Sequence, residues 1–319
     1  MINRNVVLIL GAGASMPFGF PSGFELMTLI INDLNPSNSN PMLSLISHIG
    51  FKRQEVEDFR NALRQSGKKS VDAFLEHRTE FIPIGKVATA CVLLPHESEE
   101  RIFGRNASNW YEYFFNKLNA KFEEFDKNSV AIITFNYDRS LEYYLLTALR
   151  HSYGKSSEEC SHRLGSIPIV HLYGQLGDLP LLGNDGIEFG SRLNTDVVRK
   201  AAAGIQIIHE DVAKNPQFQR AHRLLNKAER VCFLGFGYDQ TNLERLAGYT
   251  PPPKQGVIGS AKGLTNRECS IIRQTLTKLG FPVPDRDTLE PLDLGSSKGG
   301  LDNVFGEANE FLRHHCALD

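Results

Sequence analysis

SVAIITFNYDRSLEYY, residues 129–144, changes character twice. Its first half, 129–135, is an apolar run and reads as a buried strand. It stops at Asn136-Tyr137-Asp138, and Leu141, Tyr144 and Leu145 then recur at helical spacing. A strand that hands an amide and a carboxylate to its own C-terminal end and runs straight into a helix is one unit of an α/β fold. In such folds ligands sit beyond the carboxyl ends of the strands. Asn136 offers two donors and an acceptor, whereas ionised Asp138 only accepts. A turn at Asn136 and a helix cap at Asp138 would use the same residue types.

Other strands read the same way: Val6 to Leu10, 167–172, 230–235 and 256–260. Helical patterns follow most of them, at 22–34, 138–150, 206–227, 241–248 and 265–279, with a last one at 301–315. Alternation of this kind predicts a parallel sheet covered by helices on both faces. Between the first and second strands the pattern is helical only, near 53–65, 70–80, 85–94 and 108–124. An ordinary crossover needs far fewer residues. The expectation is therefore an α/β, Rossmann-like parallel sheet in one domain over 1–319, with a large helical insertion at about 35–127 after the first strand-helix unit. Trp110 to Phe115, an aromatic run, reads as core of that insertion.

Two strand ends carry glycines. LILGAGAS puts Gly11 and Gly13 directly after the first strand, as a pyrophosphate-binding turn would, but Met16 occupies the third glycine position of the dinucleotide fingerprint. Asp33 stands at the ribose-carboxylate distance yet follows a helix, so it is not given that role. FLGFGYD brings Gly235 and Gly237, with Asp239 behind them as a plain helix cap. VHLYG places His171 at the end of the third strand, where an imidazole can serve as a base near neutral pH.

Composition narrows the classes. Of 319 residues, 41% are hydrophobic and 23% charged, enough apolar material for a sizeable core. Lys and Arg number 35 against 37 Asp and Glu, a net charge of -2, which gives no reason to expect nucleic acid or an anionic membrane as partner. The five cysteines form no C-x-x-C pair, which argues against a zinc ribbon. The apolar start, VVLIL, is too short for a signal peptide or a membrane span. A cytoplasmic chain with reduced thiols is expected. His314 to Cys316 include adjacent histidines that would face different directions on a helix, so no metal site is read there. No G-x-S-x-G nucleophile elbow occurs.

Taken in order, GAGAS followed by FPSG, then TFNYD, HLYG and FLGFGYD resemble the motifs of the sirtuin-like superfamily over residues 5 to about 260. The resemblance implies that Gly11, Ala12, Gly13 and Ser15 cradle the diphosphate of NAD+. It implies that Thr134, Asn136 and Asp138 surround its nicotinamide ribose and carboxamide. His171 would be the catalytic histidine, and Gly235 and Gly237 would approach the adenine-side ribose. The departures are specific. The four-cysteine zinc module of the protein deacylases is absent, Pro21-Ser22-Gly23-Phe24 replaces their P-D-F-R, and Phe135 replaces the glutamine before the asparagine. Together with the insertion, this is similar to the sirtuin-like NAD-degrading effectors of bacterial antiphage defence. That branch implies an NAD+ glycohydrolase (NADase), a hydrolase with NAD+ as substrate and no zinc. It also implies a homo-oligomer or a separate activator such as a HerA-type ATPase that gates the activity. A protein deacylase and a non-catalytic NAD or ADP-ribose binder are the alternative readings.

Overall fold

The computed structural model describes residues 1–37, 40–104, 109–183, 185–207, 212–283, 312–313 and 318. Five strands form one sheet: β1 (Val6–Leu10), β2 (Val130–Thr134), β3 (Ile169–His171), β4 (Arg230–Leu234) and β5 (Gly256–Gly259). Their order is β3-β2-β1-β4-β5, and every pairing is parallel. The expected α/β parallel sheet is therefore present. All residues of β1 and β2 are buried, which is what a strand covered by helices on both faces requires. At the β5 edge, buried and half-buried residues alternate instead.

Register decides where the loops emerge. Leu10 lies level with Thr134 on one side and Leu234 on the other, and Thr134 lies level with His171. Four strands thus end in step, and Gly11, Phe135, Leu172 and Gly235 all leave the same edge of the sheet. The chain proceeds from β1 outward to β2 and β3, then crosses back to place β4 on the other flank of β1. That reversal between β1 and β4 is where open α/β sheets take their ligands.

The helices before β2 are α1 (Gly23–Asp33), α2 (Pro41–Ile49), α3 (Arg53–Gln65), α4 (Val71–Leu75), α5 (Ile82–Leu93), α6 (Glu99–Ile102) and α7 (Trp110–Lys117). Among the described residues no strand interrupts them, as the insertion predicted. Its centre is α5, whose residues from Ile84 to Leu93 are nearly all buried, and which packs on α1, α2, α3 and α4. A helix apolar on all sides has to be surrounded. The aromatic run is core as expected: Trp110, Tyr111 and Phe114 are buried, and the Trp110 indole donates to the Ala14 carbonyl at 2.8 Å.

After β2 come α8 (Ser140–Tyr153), α9 (Ser157–Leu164), α10 (Thr195–Gly204), α11 (Pro216–Leu225), α12 (Gln240–Leu246) and α13 (Asn266–Lys278). Among the described residues, the single helix expected at 206–227 is a short turn at Val212–Lys214 followed by α11; residues 208–211 lie outside the described ones, and α10 before them was not expected. Asn215 caps α11 and Pro216 starts it, so no helix could run through that pair. The helix expected at 70–80 ends at Leu75. Neither α2 nor α9 was foreseen. Asn40 and Pro41 are the cap and first residue of α2, although asparagine and proline are equally common in loops, and α9 buries only Cys160 and Leu164. The helix expected at 301–315 and the His314–Cys316 stretch lie outside the described residues, apart from Leu312 and Arg313. Cys91, Cys160 and Cys269 are free and buried, but Cys232 is disulfide-bonded, which corrects the expectation of reduced thiols at that residue. No described helix is long and apolar enough to cross a membrane.

Candidate active site

The loops at the sheet's carboxyl edge lock onto each other first. The Gly13 amide donates to the Gly235 carbonyl at 2.9 Å and the Gly11 amide to Leu234 at 3.1 Å. A Cβ on Gly235 would lie 2.1 Å from the Ala14 nitrogen, and Gly235 has φ +57°, so only glycine fits there. A Cβ on Gly11 would lie 2.6 Å from the Gly235 oxygen. These glycines are thus required by contact between the β1 and β4 loops. The amides of Ala14 and Ser15 also donate to loop carbonyls, so the amides of Gly11, Gly13, Ala14 and Ser15 are all committed within the protein.

Asn136 joins β2 to this loop. Its side-chain nitrogen donates to the Gly11 carbonyl at 2.9 Å and to the Ser15 hydroxyl at 3.0 Å. A backbone carbonyl only accepts, so the amide nitrogen must face Gly11 and the amide oxygen keeps its accepting capacity. The Asn136 amide itself donates to the Thr134 hydroxyl at 3.0 Å. Asp138 is buried and accepts from the Ser140 amide at 3.2 Å and from the Ser140 hydroxyl. The N-cap of α8 is Arg139, so Asp138 is not the cap expected of it; it stands one residue earlier, holds Ser140 at the start of the helix and lines the site. Burial raises the Asp138 pKa; the Ser140 and Ser15 hydroxyls act against that rise, and the Glu142 charge adds to it. Tyr111 reaches across from α7 and hydrogen-bonds Ser140 at 2.6 Å.

His171 completes the group. Its Nδ1 lies 2.8 Å from the Asn136 carbonyl, and its Nε2 lies 2.6 Å from Glu142 Oε1. Burial opposes the imidazolium, but the Glu142 carboxylate, with help from the Asn136 carbonyl and Asp138, outweighs it and holds the His171 pKa above its ordinary value. Ser15, Thr134, Asn136, Asp138, Glu142 and His171 line one small cavity of about 10 Å³, room for about one water. Next to it, Ala12, Ser15, Asn136 and Asp138 also line a hollow of about 80 Å³ whose far wall includes Asp72 of α4. A larger cleft of about 350 Å³ is lined by Gly13, Met16, Gly235, Gly237 and Ser260. The same glycine loop borders both hollows.

The structure thus brings together every residue singled out at β1, β2 and β3, and places Gly235 and Gly237 beside the larger cleft. Asp33 lies at the end of α1, and Asp239 caps α12, accepting from Thr241 and Asn242. Sequence reading missed Tyr111, Ser140, Glu142 and Asp72. Glu142 had a signal: it falls one helical turn after Asp138 on a stretch whose neighbours are apolar. Asp72, which accepts from the Tyr137 hydroxyl, and Glu76, 2.8 Å from Arg245 of α12, had none, because their partners are remote in sequence.

No family model matches this chain, and no curated protein matches it.

Proposed function

We propose that this chain is an NAD+ glycohydrolase of sirtuin-like type, cutting the nicotinamide–ribose bond to give nicotinamide and ADP-ribose. The observation that carries the reading is the convergence of Asn136, Asp138, Ser15 and His171 on one cavity at the carboxyl edge of the sheet, against the glycine loop. The 350 Å³ cleft along Gly13 and Gly237 suits the adenosine half, and the hollow at Ala12, Ser15 and Asn136 marks the place the nicotinamide end would take once that hollow widens. The dinucleotide would then cross the loop between them.

In this reaction the C1′–N bond breaks, its electron pair leaves with nicotinamide, and a water oxygen bonds to C1′ and releases a proton. Nicotinamide leaves as a neutral molecule, so the protein's task is to support the cationic sugar and place the water, as in glycoside chemistry. The Asn136 amide oxygen can accept from the carboxamide or from the water. The Asp138 carboxylate can stabilise positive charge on the ribose, and His171 can take a proton from a ribose hydroxyl or the water.

The hollows at Asn136 are too small for a nicotinamide ring, and the loop amides are committed, so this arrangement is read as a resting one. Asp72 of α4, held by the Tyr137 hydroxyl, walls the hollow, and its release by self-assembly or by a separate activating protein would admit substrate. An NAD-destroying enzyme held in this way fits an antiphage defence effector in the cytoplasm. The test is chromatography of NAD+ incubated with the wild-type chain and with Asn136→Ala and His171→Ala. At protein concentrations high enough for self-assembly, nicotinamide and ADP-ribose should form with the wild type and fall by ~10²- to 10⁴-fold in each variant. Wild-type rates in both variants would refute the assignment.

A further inference from the structure

Glu142 has no place in the motif resemblance, yet it is a buried carboxylate on α8, whose other buried residues after Ser140 are Leu141, Tyr144, Leu145 and Leu149. Burying a carboxylate is costly unless it is paired. Its partner is Nε2 of His171 at 2.6 Å. The other ring nitrogen fixes the proton count. Nδ1 faces the Asn136 carbonyl at 2.8 Å, and since that oxygen only accepts, Nδ1 carries a hydrogen here. A second proton lies in the short contact between Nε2 and Glu142. When the pair gives up one proton, the ionised carboxylate retains the hydrogen on Nε2. The lone pair then appears on Nδ1, opposite the Asn136 carbonyl, where two acceptors repel. A hydroxyl donor entering at that point relieves the repulsion by donating to Nδ1.

We propose that Glu142 is the positioning residue of this site: it fixes the Nε2–H tautomer of His171 and makes Nδ1, beside Asn136, the atom that accepts a proton from a substrate hydroxyl or water. The kinetic consequence rests on the NAD+ reading above; the tautomer does not. The other charged and titratable groups around His171 are Asp138 from the β2–α8 turn, Tyr111 from α7, Asp178 from the loop after β3 and Arg220 from α11. The first two line the small cavity with it, and the last two line a polar cleft on its outer side.

The sign follows from the raised His171 pKa. The pair's contribution to stability is complete below the unfolded histidine value and is lost as pH rises through the folded one. Glu142→Gln removes the charge that holds the proton. The experiment uses the full chain with isotope-labelled histidine, the His171 signal being assigned with His171→Asn. In the wild type, His171 should titrate above the ordinary value, and in Glu142→Gln about one to three pH units lower. At high pH the wild-type ring should show hydrogen on Nε2 and a bare Nδ1. That measurement needs no variant, so misfolding of Glu142→Gln would not shield the idea. Hydrogen on Nδ1 instead, or a His171 titration unmoved in Glu142→Gln, overturns it. In the kinetic arm, the acidic limb of the NAD+ cleavage profile should move down with the same variant, which mere loss of packing would not cause. A wild type that shifts as expected in the spectra yet never cleaves NAD+ sinks the glycohydrolase reading and leaves the tautomer assignment standing.

Discussion

Asp138 and Gly235 show opposite ways in which a single residue constrains this site. Asp138 is held at a cost, because burial raises its pKa above the usual carboxylate range. A raised acid favours the folded state below the unfolded value and loses that advantage as pH climbs through the folded one. Asp138→Asn keeps an oxygen for Ser140 and removes the charge. Its melting temperature should therefore exceed that of the wild type at pH 7, with the gap closing toward pH 4, while any NAD+ cleavage falls. Thermal melts across that range check it; a variant less stable at every pH would show that Asp138 is not strained by burial. Gly235→Ala should do the reverse and destabilise by roughly 2–4 kcal/mol in denaturant titration, since it meets both a positive φ and the Ala14 backbone. Much of the site was legible at this scale. Asn136, Asp138 and His171 each follow an apolar run in the sequence, and strand ends in register must meet. The glycines were legible as special, but the cause found here is mutual contact, which no single loop announces. Glu142, on α8, carried only the signal of its spacing from Asp138, because its partner His171 lies on β3.

At the scale of elements, the insertion and the sheet are joined by buried charge. Arg139, at the start of α8, makes a two-pronged ion pair with Glu97, at 2.8 and 2.9 Å. It also donates to the carbonyls of Asp178 and Ile187, and Glu97 accepts from the Gly190 amide. Both side chains are almost wholly removed from solvent. Removing one partner strands the other charge, so Arg139→Met should cost about 3–5 kcal/mol. Arg139→Met with Glu97→Leu should recover part of that loss. Chemical denaturation of the two variants decides it, and a double variant worse than the single would show that the pair's value lies in its carbonyl contacts. Strands were the most legible elements, because β1 is apolar throughout and β2 is apolar up to its last residue, Thr134. The boundaries of helices were less so: α9 turns most of its surface to water, α10 falls outside every expected span, and the span expected at 206–227 ran across Asn215 and Pro216 without notice.

For the molecule as a whole, the sequence's long strandless stretch before β2 correctly foretold the helical insertion, and the parallel order followed from strand-helix alternation. What it could not foretell is which flank of β1 each strand takes. One outcome of that arrangement concerns the time at which the fold can exist. β1 lies in the middle of the sheet, and Val6 pairs with Val130 on one side and Arg230 on the other. A chain made at about 5–20 residues per second brings out its first strand on the order of ten seconds before the neighbour at β2, and longer still before β4. Throughout that interval VVLIL, the most apolar strand, has no partner strand, while the helices from α1 to α7 are synthesised one after another and those from α1 to α4 can gather around α5. The insertion therefore stands as the earliest shelter for the strand that later carries the glycine loop, and newly made chains are most exposed to aggregation before β2 arrives.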